Sequence, residues 1–112
     1  MESKSMKAVY IIVNAGFAED AVELAHEAGA TGATIMNARG SGAVHKVFLG
    51  ITIDEEKELV LCLVEAEVAD RIAALMKEKC GPKSPANGIC FVLPVDKTVG
   101  INTTPHPQAR GK

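Results

Sequence analysis

Apolar residues follow two rhythms along this chain, and the changes between them mark out its elements. Residues 7–16, KAVYIIVNAG, are almost continuously apolar, β-branched or aromatic until they stop at glycine, which predicts a buried strand. From 18 to 29 the period lengthens. In AEDAVELAHEAG the residues Ala18, Ala21, Val22, Ala25 and Ala28 recur at helical spacing, acids occupy the first turn, and Gly29 stands where a helix C-cap belongs. Strand character returns in ATIMNARG (33–40). In VFLGITIDEEKELVLCLVE (47–65) two apolar segments flank DEEKE, which predicts a strand, a charged turn and a second strand. A second helix is expected over 67–81, where Val68, Ala69, Ile72, Leu75 and Met76 form one stripe, lysines gather at the end, and Gly81 with Pro82 closes the segment. PKSPANG then reads as a loop and ICFVLPV as the last long strand.

These elements point to an α+β ferredoxin-like sandwich, the β-α-β-β-α-β fold in which an antiparallel sheet carries two helices on one face. The domain is expected to run from 7 to 102, after a flexible N-terminus (1–6) and before a polar, proline-rich tail (103–112) expected to be disordered. The strands are apolar on both sides: Val9, Ile11 and Val13 alternate with Tyr10 and Ile12, and Val60 and Cys62 with Leu61 and Leu63. Two helices cover one face only. The other is expected to be buried against further copies of the chain.

Composition removes several functions. The 112 residues suit one domain, and Lys plus Arg (12) against Asp plus Glu (14) gives a net charge of −2 with no basic block, so nucleic acid is not an expected partner. The longest apolar runs, AVYIIV and LVLCLV, are far shorter than the roughly 20 residues that span a bilayer, and the start, MESKSMK, lacks a signal-peptide core. A cytoplasmic protein without direct membrane insertion is expected. Cys62, Cys80 and Cys90 are odd in number and show no CxxC spacing, which argues against a disulfide framework or zinc site.

Candidate chemistry concentrates in GATGATIMNARGSG (29–42). Gly29 and Gly32 are most simply a helix cap and a turn, whereas Gly40 and Gly42 can bring backbone N–H groups close to an anion. Arg39, His45 and Lys46 are groups able to meet a phosphate, a carboxylate or a partner's acidic side chain, or simply solvated hairpin residues. GSGAVH does not complete GxGxxG, and no GxxxxGK[ST] occurs. No catalytic or metal-ligand spacing is found, so no enzyme activity is expected.

Together, GATGATIMNARGSG after the first helix and NGICFVLPV after the second resemble the PII nitrogen-regulatory superfamily, over roughly residues 7 to 102. The resemblance implies a homotrimeric signalling protein with adenine nucleotide in intersubunit clefts. It also implies a loop between the second and third strands that docks on transporters, enzymes or regulators. Thr34 falls where the family places a threonine near the adenine. Gly40, Ser41 and Gly42 fall on the segment that approaches the phosphates, and Asn87 and Gly88 on the loop before the last strand. Three cations of the familiar site are replaced, by Ile89, Gly100 and Asn102. Fewer charges favour ADP or AMP in competition with ATP. The loop is expected to be short, running from Ser41 to about Lys46, with His45 and Lys46 facing the partner. The alternatives are a metal-tolerance or structural trimer of the same fold without nucleotide sensing, which metal-dependent stabilisation would reveal, and a small enzyme using the cleft, which turnover would reveal.

Overall fold

The computed structural model describes residues 5–40, 46–48, 51–53 and 55–100, the two three-residue stretches by their backbone alone. In chain order the elements are β1 (Met6–Asn14), α1 (Ala18–Ala28), β2 (Thr34–Gly40), β3 (Lys46–Phe48), β4 (Ile51–Ile53), β5 (Glu55–Glu65), α2 (Ala66–Lys79) and β6 (Ile89–Pro94). One four-stranded sheet has the order β2-β5-β1-β6, with every neighbouring pair antiparallel. The expected α+β ferredoxin-like architecture is therefore present. Both helices end as their sequences require: Gly29 takes the left-handed conformation (φ 119°) that closes α1, and lysines occupy the last turn of α2.

Alternation along the strands divides the sheet into two faces. Val9, Ile11, Val13, Val60, Cys62 and Val64 are buried beneath α1 and α2, packed on Ala21, Leu24, Ala25, Ala69, Ile72 and Met76. The register puts Tyr10 opposite both Leu61 and Phe91, and Ile12 opposite Leu59 and Ile89, so these residues share the other face with Met36, Leu63 and Leu93. That face is open. Phe91 is 42% exposed and Leu93 45%, while the Tyr10 and Phe91 rings stack at 5.1 Å.

The segment 47–65 departs from expectation. Residues 55–58 of the supposed charged turn are the first part of β5, paired with 37–40 of β2. Their charges are compatible with a strand because this end of the sheet is partly solvated and three of the side chains have partners, Glu58 on α1, Lys57 beside Asn14 and Glu55 on Lys57. Among the described residues, those of VFLGITI supply no strand to the main sheet. Its described residues form β3 and β4, which pair only with each other. Because Gly40 lies opposite Glu55, the connection from β2 to β5 spans 41–54 and is longer than the 41–46 loop expected. The expected tail lies outside the described residues.

Candidate functional site

After Gly29 turns the chain out of α1, residues 31–33 run to the start of β2, where Thr34 pairs with Leu61. Together Thr31, Gly32, Ala33, Thr34, Leu61 and Leu63 line a recess of about 300 Å³. Two threonines and two small residues on one side meet two leucines of the open face on the other. Such a surface suits a flat, largely apolar ring with a few polar edges.

The expected phosphate-side residues sit at the other end of β2, about 17 to 20 Å along an extended strand from Thr34. Arg39 faces Glu56 and Gly40 faces Glu55 across the β2–β5 ladder. A side chain at Gly40 would press on Lys57, whose stem comes within 3.2 Å of the position a Cβ would take. Gly40 thus makes room for a lysine that the sequence pattern did not single out. The ammonium of Lys57 donates to Asn14 Oδ1 at 2.7 Å and pairs with Glu55 at 3.3 Å, and its side chain is only 14% exposed. The period-2 alternation of β5, once extended through 55–58, is the signal that places Lys57 on the same face as Leu61.

The loop before β6 approaches this end of the sheet from the opposite edge. Its turns are closed by Ser84 N–H to Gly81 O, Asn87 N–H to Ser84 O and Gly88 N–H to Cys80 O. Asn87 takes a left-handed conformation (φ 48°), and a Cβ at Gly88 would collide with the carbonyl of Cys80. The Gly88 N–H is thus directed at the end of α2, and the residue's smallness serves packing on Met76 and Val13. Asn14 ties the loop down, its backbone N–H bonding Ala86 O and its side chain Pro85 O.

Arg39, Gly40, Asn87 and Gly88 are therefore gathered toward one end of the sheet, and Thr34 lines the recess apart from them. Ser41, Gly42 and His45 lie outside the described residues, and of Lys46 only the backbone, in β3, is described. The thiols are not activated nucleophiles. Burial pushes Cys62 up, with a smaller contribution from Cys90, and burial also raises Cys90. For Cys80 burial and then Asp20 raise the value against an opposing effect of Lys79. Among the described residues no three His, Cys, Asp or Glu side chains are grouped to hold a metal ion, and no helix is long and apolar enough to cross a membrane.

The fold and the recess at the start of β2 define an α+β ferredoxin-like protein with a cleft beside its open sheet face. A family model described as nitrogen regulatory protein P-II matches residues 6–105, and the chain belongs to that family. Among solved structures it is similar to a Bacillus subtilis GlnK–ATP complex, with 22% identity over 88% of this chain and 91% of the other and a TM-score of 0.68. It is also similar to a PII-like signalling protein from Thermus thermophilus, with 28% identity over 85% and 90% and a TM-score of 0.64. A third is CPII bound to ADP and bicarbonate, from Thiomonas intermedia, with 23% identity over 81% and 86% and a TM-score of 0.61. No curated protein matches the sequence significantly.

Proposed function

We propose that this P-II family member is a cytoplasmic homotrimeric regulator that binds an adenine nucleotide in clefts between its subunits. It transmits the bound state to a partner protein, such as a transporter or an enzyme, through the 41–54 segment. The observation that carries the reading is the recess at Thr31–Thr34, which opens beside the leucines of an apolar sheet face that a second copy would cover. The ring would enter this recess against Thr34, with its phosphates directed along β2 toward Arg39, Gly40, Ser41 and Gly42, and with Asn87 and Gly88 bordering the site. The similarity to structures holding ATP or ADP supports this class of ligand.

Charge decides which nucleotide competes best. Ile89, Gly100 and Asn102 stand where the resemblance implies cations, which leaves Arg39 and Lys57 as the nearby positive groups. Each charge-assisted hydrogen bond contributes roughly 1.5 to 3 kcal/mol, so losing several weakens a triphosphate more than a shorter anion. ADP and AMP are therefore expected to compete well with ATP. His45 and Lys46, on the connecting segment, would meet the partner. Nothing in this scheme requires turnover, and the protein acts by binding.

Isothermal titration calorimetry with ATP, ADP and AMP tests the site. Binding of at least one is expected, weakened by about 1.5 to 3 kcal/mol in Arg39→Ala if the guanidinium contacts phosphate. A wild-type protein that binds none at millimolar concentration, or binding indifferent to Arg39→Ala and to Gly42→Val, overturns this assignment. Stabilisation by a divalent metal alone would favour the metal-tolerance reading instead.

A further inference from the structure

Asn14 ends β1, and its side chain makes two hydrogen bonds in opposite directions. Its Oδ1 accepts from Lys57 Nζ at 2.7 Å, and its Nδ2 donates to the carbonyl of Pro85 at 3.0 Å. A lysine ammonium can only donate and a backbone carbonyl can only accept, so a single orientation of the amide satisfies both. Neither partner is local: Lys57 is 43 residues away and Pro85 is 71.

The two partners belong to different segments. Lys57 stands at the foot of the 41–54 connection, opposite Ala38, with its stem on Gly40 and its ammonium also paired with Glu55. Pro85 belongs to the turns between α2 and β6, which Asn14 also holds through its backbone N–H to Ala86 O. A continuous polar chain, Glu55–Lys57–Asn14–Pro85, thus runs across the end of the sheet. The low exposure of Lys57 shields its link from water and strengthens it relative to a surface contact.

We propose that Asn14 is a positioning residue that couples the foot of the 41–54 segment to the 81–88 loop, so that ordering one orders the other. Its ligand consequence rests on the nucleotide reading above, whereas the coupling itself is a property of the free protein. Lysine is the input, the Asn14 amide the connector, and the 81–88 turns the output. Loss of the Lys57 ammonium releases Asn14 and through it Pro85, whereas an anion settling beside Gly40 that takes a further donor of the ammonium holds Lys57 in place and orders both segments.

Hydrogen–deuterium exchange on the full chain without ligand tests the coupling. Lys57→Met keeps a stem over Gly40 and removes the ammonium. It should speed exchange of the Ser84, Asn87 and Gly88 amides roughly fivefold, the equivalent of one hydrogen bond's net contribution, although Lys57 touches none of them. Asn14→Asp retains an acceptor for Lys57 and loses the donor to Pro85. It should speed exchange at 84–88 while leaving the amides of 39–40 and 55–57 as protected as in the wild type. Adding Lys57→Met to Asn14→Asp should change 84–88 no further. Unchanged exchange at 84–88 in Lys57→Met, or a fully additive double variant, overturns the proposal. With saturating ADP, the wild type should slow exchange at 39–40 and 55–57 and also at Ser84, which the proposed site does not include, and Asn14→Asp at 39–40 and 55–57 only; slowing at Ser84 in Asn14→Asp also overturns it. If ADP does not bind the wild type, the nucleotide reading falls, and the ligand-free comparison still decides the coupling.

Discussion

Helix α1 begins after Phe17, a residue with no side-chain oxygen to cap it, and its first amides are met from across the fold. Glu58 Oε1 accepts from Gly16 N–H at 2.8 Å and Ala18 N–H at 3.0 Å, placing a carboxylate at the positive end of the helix dipole. Glu58→Ala should lower unfolding free energy by about 1 to 2 kcal/mol in urea titrations, and Glu58→Gln by less because an acceptor remains. Cys62 makes a prediction of a different kind. Burial raises its thiol above the ordinary value of 9.0, so the folded state keeps a proton that the unfolded state releases. Its contribution is fully present below the unfolded pKa and is lost as pH rises toward the higher folded value. Unfolding free energy measured between about pH 8 and 10 should therefore fall more steeply for the wild type than for Cys62→Ala, whatever the offset from the smaller side chain. Equal slopes would remove that assignment.

At the scale of elements, the instructive case is β5. Its apolar half was readable as a strand, but its charged half looked like a turn, since acids and lysines are rare in strand interiors and common in loops. What makes it a strand is pairing: 55–58 complete the ladder to the end of β2. This pairing makes 41–54 an insertion closed at its base by Gly40 and Glu55, and so separable from the sheet. Replacing 41–54 by Asn-Gly should leave the fold intact, with a thermal midpoint within a few degrees of the wild type, because a two-residue turn closes antiparallel strands and loop length costs little. Regulation of the partner should disappear. A collapse of the fold, read by far-UV circular dichroism, would mean that the segment supports the sheet.

For the whole molecule the open face of the sheet is the dominant feature. Tyr10, Ile12, Leu59, Leu61, Phe91 and Leu93 share it, and within one chain it is covered by nothing among the described residues. In the proposed trimer this face becomes the centre. Ile12→Asp or Leu61→Asp would place a charge there without a partner, at a cost no interface tolerates, yet neither side chain lies in the core beneath the helices. Light scattering should give about three times the 11.8 kDa chain mass for the wild type and a folded species of about one chain for either variant. A wild-type protein that scatters as a monomer would refute the trimer.

The amino-acid pattern by itself determined both helices, β1, β2 and β6 and the two apolar faces of the strands, because periodicity reflects burial that each element makes locally. Gly29 as the end of α1 and ICFVLPV as a strand were legible for that reason. Only the tertiary structure decided the meaning of residues whose partners are distant in sequence. Gly40 had suggested a ligand's approach and makes room for Lys57; Gly88, placed by the resemblance on the loop before the last strand, sits against the carbonyl of Cys80. Asn14, Lys57 and Glu58 carried no local signal for these roles, since their side-chain hydrogen bonds join groups some forty or more residues apart, and such a distance closes only when the sheet forms.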